Sequence, residues 1–428
     1  MKKQINVPSI IFSRFNEDLS WKSKKFKELL DPTEGIRRGP FGSALKKEFF
    51  VQNSEYVVYE QQNAIYDHFN TRYRISEEKY HELNKFMLSS GDFIMSGAGT
   101  IGKISLVPDG IEKGVFNQAL IRLRVNKNIN KEFFLQWMRS PEMQNNLTKA
   151  NPASAMVNLV PMSEVKEWDV IVPSFEEQSA IGSLFRTLDE LLASYKDNLA
   201  NYQSLKATML SKMFPKAGQT VPEIRLKGFE GEWEKTTLEK STDRVKSYSL
   251  SRDVETNQDT GLKYIHYGDI HLGKVSIIDD GNSIPYIKTD TKLSEFLQKG
   301  DLIFADASED YKGIAEVAVL ASDLPETTVA GLHTIAVRPQ SIFDSIFLYY
   351  MFKTQTFRKY GYKVGTGMKV FGISPSNLMK YEFHYPDKKE QQAIASYFSN
   401  LDQLITSYQE KISQLETLKK KLLQDMFI

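Results

Sequence analysis

Apolar residues follow two regimes along the chain. In residues 173–214 and 386–428 they recur at alternating spacings of four and three. The first stretch carries Leu188, Leu192, Tyr195, Leu199, Tyr202, Met209 and Met213; the second carries Leu401, Ile405, Tyr408, Ile412, Leu415, Leu422 and Met426. That spacing is the seam of a coiled coil, which buries one narrow stripe per helix against a partner helix. Lys206 and Lys419 interrupt the stripe at the same place in both stretches. Each stretch predicts a short amphipathic helix (176–185 and 389–398) followed by a longer one. Thr187 and Asn400 stand as N-caps of the longer helices, with Glu190 and Gln403 three residues on. A longer helix of about 26 residues would run about 39 Å. Elsewhere the pattern shortens to strand-like alternation around Gly-rich turns, as in GDFIMSGAGTIGKISLV (91–107), YVVYEQQNAIY (56–66), ALIRLRV (119–125), DLIFADAS (301–308), IAEVAVL (314–320) and TIAVRP (334–339). Residues 131–147 and 345–360 read as helices. The regions outside the two stretches are therefore α+β, each a mixed β-sheet with small helices.

The two stretches are copies. Laid on each other at an offset of 213, residues 173–214 and 386–427 share 17 of 42 positions without a gap, where residue frequencies would give roughly two or three. The preceding regions match more weakly: Val7-Pro8-Ser9-Ile10 with Val221-Pro222-Glu223-Ile224, Trp21 with Trp233, Gly91-Asp92 with Gly300-Asp301, and Pro161 with Pro375. The chain thus divides into a globular region (1–172), a helical block (173–214), a second globular region (221–385) and a second block (386–428). The two blocks are expected to pair as an antiparallel coiled coil, a rod that spaces the globular regions and offers a surface to protein partners. Their charges nearly balance: four Lys/Arg against five Asp/Glu in 173–214, and six against six in 386–427.

A length of 428 residues suits two or three domains. The absence of cysteine removes disulfides, zinc–thiolate sites, iron–sulfur clusters and cysteine nucleophiles, and fits a reducing cytoplasm. No signal-peptide apolar core is read at the start, and the longest apolar run, 346–352, is too short for a bilayer. A net charge of +1 gives no global hint of a polyanionic partner.

Gly97-Ala98-Gly99-Thr100-Ile101-Gly102-Lys103 satisfies two phosphate-loop patterns. Both require a following helix, whose N-terminus faces the phosphate, and KISLVP predicts a strand instead; the turn reads as a hairpin. Pro108–Lys113 reads as a surface turn. Asn151-Pro152-Ala153-Ser154 lacks the aromatic an amino-methyltransferase would stack on a flipped base. The six histidines make no metal-binding helix spacing, although His266 and His271 are close enough to share a site. No Gly-x-Ser-x-Gly elbow occurs. Neither a catalytic nor a metal constellation is found.

What remains is polar loop chemistry suited to recognition. Arg37, Arg38, Ser43, Lys46 and Lys47 surround a Gly/Pro turn and suit phosphate contacts, although such a loop can equally be a solvated surface. Gln61, Gln62, Asn117 and Gln118 carry amides that can pair bidentately with adenine. Ser96, Thr100, Lys103 and Ser154 complete the first set of nucleic-acid candidates. The second copy offers Lys246, Arg252, His266, Lys274, Ser308, Tyr311, Lys312, His333, Thr366 and Lys369. Different side chains on a repeated frame predict two modules that read different things.

In arrangement and motifs the chain resembles the DNA-specificity subunit of type I restriction–modification systems, over essentially its whole length. The resemblance rests on Pro173-x-x-x-Glu177-Gln178-x-Ala180-Ile181 with Leu188-Asp189, and on their copies Pro386, Glu390-Gln391, Ala393-Ile394 and Leu401-Asp402. It rests also on Val221-Pro222-Glu223-Ile224-Arg225 with Gly228-Phe229-Glu230-Gly231-Glu232-Trp233. The first copy departs at Ser13-Arg14-Phe15-Asn16. The resemblance implies two target recognition domains, each reading half of a split asymmetric DNA site, and a helical spacer that docks two modification (methyltransferase) subunits and adjoins restriction (endonuclease/translocase) subunits. It implies no cofactor in this chain: S-adenosylmethionine, ATP and magnesium belong to the partner subunits. Two other classes remain open on the residues alone: a stand-alone restriction–methylation enzyme, against which the missing methyltransferase motifs argue, and a coiled-coil scaffold that binds only protein.

Overall fold

The computed structural model describes residues 10, 12, 21–148, 161–308, 314–367 and 371–427. It divides into two compact units: Met1–Lys196 with Glu410–Ile428, and Asp197–Gln409.

The first unit is built on a four-stranded sheet in the order Ile36–Arg38, Leu120–Leu123, Phe93–Ser96, Ile104–Leu106. All its pairs are antiparallel. Phe93, Ile94, Met95 and Ser96 are buried on both faces. One face meets Phe133, Phe134 and Trp137 of the helix Lys131–Arg139. The other packs on a second, mixed sheet through Val57, Tyr59 and Phe116. The second unit repeats this plan. Its main sheet runs Thr242–Val245, Thr334–Pro339, Leu302–Ala305, Val317–Leu320, Ile277–Ile278, and the helix Ser345–Phe352 covers one face with Phe347, Leu348 and Phe352. The α+β class is as expected.

Two of the shared motifs have structural reasons. Gly91 (φ +83°) and Gly300 (φ +94°) take the left-handed turn that leads into the central strand. The aspartate that follows ties the turn to the sheet. Asp92 accepts the Ser89 N–H at 2.9 Å and two bonds from Arg124, at 2.6 and 2.9 Å. Asp301 accepts the Gln298 N–H at 2.8 Å and two from Arg338, at 2.8 and 2.7 Å. The Glu-Gln motif works similarly. Gln178 donates to the Pro173 carbonyl (3.0 Å) and accepts from the Asn130 N–H (3.0 Å). Gln391 does the same with Pro386 (2.9 Å) and Asp344 (2.9 Å). Asn130 and Asp344 cap the core helices, so this glutamine locks the long helix of each unit to its sheet-covering helix.

Four expectations differ. Each helical block forms one continuous helix, Phe175–Lys212 and Lys388–Asp425, of 38 residues, about 57 Å at 1.5 Å per residue. Thr187 and Asn400 are therefore mid-helix and cap nothing; the Thr187 hydroxyl donates to the Ser183 carbonyl one turn back. The segment 131–147 breaks into Lys131–Arg139 and Pro141–Thr148, since Pro141 disfavours helical backbone at Ser140. The segment 345–360 breaks at Thr354, whose side chain caps the helix Gln355–Val364. In 56–66 only Tyr56–Tyr59 is strand; Gln61–Tyr66 is a helix.

Each unit contains an antiparallel pairing of the two long helices. In the first, Lys196 meets Glu416 at 2.7 Å and Asp189 meets Lys419. Leu188, Leu192, Ile412 and Met426 are buried there, and Tyr195, Leu415 and Leu422 partly so. In the second, the Tyr202 ring lies tilted against Tyr408 with centroids 5.4 Å apart, Lys206 meets Asp402, and Met213 and Leu401 are buried. Leu199, Met209 and Ile405 are half-buried. The two lysines that interrupt the stripe thus each find an aspartate of the opposite helix. Each aspartate is also held by its own unit's core helix: Gln136 donates to Asp189 at 3.3 Å, and the Tyr350 hydroxyl to Asp402 at 2.8 Å.

Candidate nucleic-acid interface

In the first unit, residues 97–103 form the expected hairpin turn between antiparallel strands that pair Met95 with Ile104. Gly99 and Gly102 take positive φ, +63° and +77°. Three other segments converge on this end of the sheet. The helix Gln61–Tyr66 reaches it through Gln61, whose amide donates to the Ala98 carbonyl and to Thr100 O at 3.4 Å. The Asn117–Ala119 turn joins it through the Gly97 N–H, which donates to the Ala119 carbonyl at 2.7 Å. The strand Ile36–Arg38 arrives with Gly39, whose N–H donates to the Leu120 carbonyl at 2.9 Å. A Cβ on Gly39 would lie 1.9 Å from the Asn117 carbonyl oxygen, so only glycine fits.

Arg38, Thr100, Lys103 and Gln118 are exposed at this end, and Ser43, Lys46 and Lys47 are exposed along the chain that runs on from Gly39 to the second sheet; Lys46 lies 3.7 Å from Glu48. The other candidates have internal duties. Arg37 pairs with Glu34 at 3.0 Å. Gln62 bonds Glu60 at 3.5 Å, and the Asn117 Oδ1 accepts the Ala119 N–H at 3.1 Å. Ser96 is fully buried and accepts the Lys103 N–H at 3.0 Å, closing the turn from inside with no surface to present. Ser154 lies outside the described residues. Phe41, 90% exposed at the crest of the cationic loop, is a surface feature that residue-type reasoning passed over; its flanking Pro40 and Gly42 are the only local sign.

In the second unit the corresponding end of the sheet carries other chemistry. Asp306 follows the strand Leu302–Ala305 and donates its N–H to the His333 carbonyl at 3.0 Å, as Gly97 does to Ala119. The His333 Nδ1 lies 3.1 Å from Asp306 Oδ1, and its ring stands edge-on to Tyr267 at 5.3 Å. His266, 6% exposed, caps the short helix Tyr267–His271 by accepting the Gly268 N–H on Nδ1 at 3.1 Å. His266 and His271 thus stand at opposite ends of that helix and share no site. Arg252 is held by Glu255 (2.8 Å) and Asp269 (3.0 Å), with Lys274 3.9 Å from Asp269. Lys246 is exposed, its ammonium 5.0 Å from the Tyr248 ring. Thr366 is exposed and paired through its backbone to Gly372. Ser308 is fully buried, 3.4 Å from His271 Nδ1. Tyr311, Lys312 and Lys369 lie outside the described residues. Asp306 and Tyr267 belong to this surface, and neither had been singled out.

Burial pushes the pKa of His266 below its ordinary value, and the Arg252 charge adds to this. The folded chain therefore keeps His266 neutral where the unfolded chain takes up a proton. Stability is expected to fall as pH drops below about 6.5, because the unfolded state then binds more protons. His266→Gln should make the fall in urea midpoint between pH 7.5 and 5.5 shallower; equal falls in both proteins would reject this.

Among the described residues no group of three or more His, Asp or Glu could hold a metal ion, and no helix is long and apolar enough to cross a membrane.

A duplicated α+β frame whose two sheet ends carry different polar side chains, joined to an antiparallel helix pair, defines a two-module recognition protein. The sequence matches the family described as Type I restriction modification DNA specificity domain twice, over residues 21–202 and 232–417, and the chain belongs to that family. It is similar to the type I restriction enzyme MjaVIII specificity subunit of Methanocaldococcus jannaschii, 20% identical over 425 residues, 97% of this chain and 96% of the relative. Among solved structures it resembles the type I restriction–modification S subunit from M. genitalium, with a TM-score of 0.59 and 16% identity over 99% of both chains. A second likeness is to a chain from a structure concerned with complex assembly and conformational transition of the type I R-M system: TM-score 0.53, 17% identity, 94% of this chain and 96% of that one. The likeness to the solved structures is one of fold.

Proposed function

We propose that each unit reads one half of a split, asymmetric DNA sequence through its sheet end, and that the paired helices set the spacing and dock two modification subunits and, beside them, restriction subunits. Exposed Arg38, Lys46, Lys47 and Lys103 hold phosphates, while side chains on the turns read base edges in the major groove. The chain supplies placement and no chemistry. S-adenosylmethionine, ATP and magnesium act on the partner subunits, which methylate a flipped adenine, and the complex works in the cytoplasm. The observation that carries this reading is the repeated frame with unlike ends: Gly97 and Ala119 in one unit stand where Asp306 and His333 stand in the other. Scaffolding alone gives no reason for that divergence.

The test exchanges residues 1–172 for the corresponding region of another family member and sequences the methylated sites. One half of the site is expected to change and the other to persist. Change in both halves, or in neither, would sink the modular reading.

A further inference from the structure

We propose that Asp306, oriented by His333, reads a base in the second half-site by accepting a hydrogen bond from the exocyclic amino group of a cytosine or an adenine. This rests on the function proposed above.

The backbone fixes where Asp306 sits. Its N–H donates to the His333 carbonyl at 3.0 Å and its carbonyl accepts the Ile373 N–H at 2.8 Å. Its side chain is 27% exposed, mostly covered but in reach of solvent. His333 Nδ1 engages Oδ1 at 3.1 Å; among the described residues nothing is bonded to Oδ2. The carboxylate therefore keeps acceptor capacity, and burial raises its pKa while His333 opposes the rise. Among the described residues, His333 is its one side-chain partner.

The fold does not require this pair. The first unit closes the same backbone bond, at 2.7 Å, with Gly97 and Ala119. His333 even holds a left-handed backbone, φ +54°, which a non-glycine residue adopts at a cost. Tyr267 packs against its ring and fixes its plane. A half-buried aspartate, bonded to a strained histidine that an aromatic neighbour holds, is a positioned acceptor. A carboxylate with one oxygen still open is repelled by a phosphate backbone unless that oxygen meets a donor. In the major groove those donors are the amino groups on C4 of cytosine and C6 of adenine.

The full chain, assembled with modification subunits, is allowed to select from a library of randomised duplexes. The wild type should enrich cytosine or adenine at one position of the second half-site, and the enriched base says which. Asp306→Ala should lower that preference about tenfold or more and leave the first half-site untouched. Asp306→Asn keeps an acceptor for His333 but turns an amide donor toward the base, so the preference should move to guanine or thymine. If Asp306 only supported His333, Asp306→Asn would keep the original base, and that result overturns the proposal. So does an unchanged preference in Asp306→Ala, or equal loss in both half-sites. A wild-type complex that enriches no sequence would instead refute DNA reading itself.

Discussion

Arg338→Met is expected to destabilise the second unit by about 3–5 kcal/mol, the usual consequence of leaving a buried charge without its partner. Asp301 is fully buried, and among the described residues its two guanidinium bonds, at 2.8 and 2.7 Å, are its only contacts with a cation. Methionine fills the volume but offers no donor. The carboxylate must then take up a proton or drag water into the sheet. Arg124→Met should act similarly on Asp92 in the first unit. Thermal unfolding should show one of two transitions falling while the other stays. A single transition that hardly moves would mean that the pair is dispensable.

Asp402→Leu is the second large effect. It strands the Lys206 ammonium inside the helix seam and removes the acceptor of the Tyr350 hydroxyl. With both groups mostly buried, the loss should be about 2–4 kcal/mol. Adding Lys206→Leu and Tyr350→Phe should recover most of it, because an apolar seam carries no desolvation cost. The recovered variant should, however, lose the feature that fixes which turn faces which. A seam of leucines tolerates a slip of one heptad, whereas a lysine admits only the register that brings an aspartate to it. If the single substitution proved harmless, the pair would be a surface contact and no part of the seam.

The sequence disclosed the α+β class, the repeat, the seam and the hairpin turns, because each is carried by local periodicity. It disclosed the lysine interruptions but not their answer, since Asp189 and Asp402 lie in the other block, 230 and 196 residues away. Thr187 imitated a cap because a cap and a back-bonded helical threonine use the same hydroxyl. The candidate site was legible as loops and much less as residues. Ser96 and Gln61 have the right chemistry, but the fold spends it internally. Asp306 was passed over because its turn had lost its glycines; its meaning comes from His333, 27 residues on.

The two seam contacts, Lys206 with Asp402 and Lys419 with Asp189, are one contact written twice, since both residues of the second pair sit 213 positions from their counterparts in the first. A single repeat therefore already contains lysine and aspartate alike, and is complementary to itself. A half-length chain would carry both halves of this contact and could pair only with a copy of itself, its identical readers facing identical half-sites. Fusing two copies into one chain preserves the lock while removing the demand that the readers match. Divergence at Gly97 and Asp306, and at Ala119 and His333, costs the assembly nothing, because none of the four takes part in the lock. New DNA specificities can thus arise without renegotiating how the protein is held together.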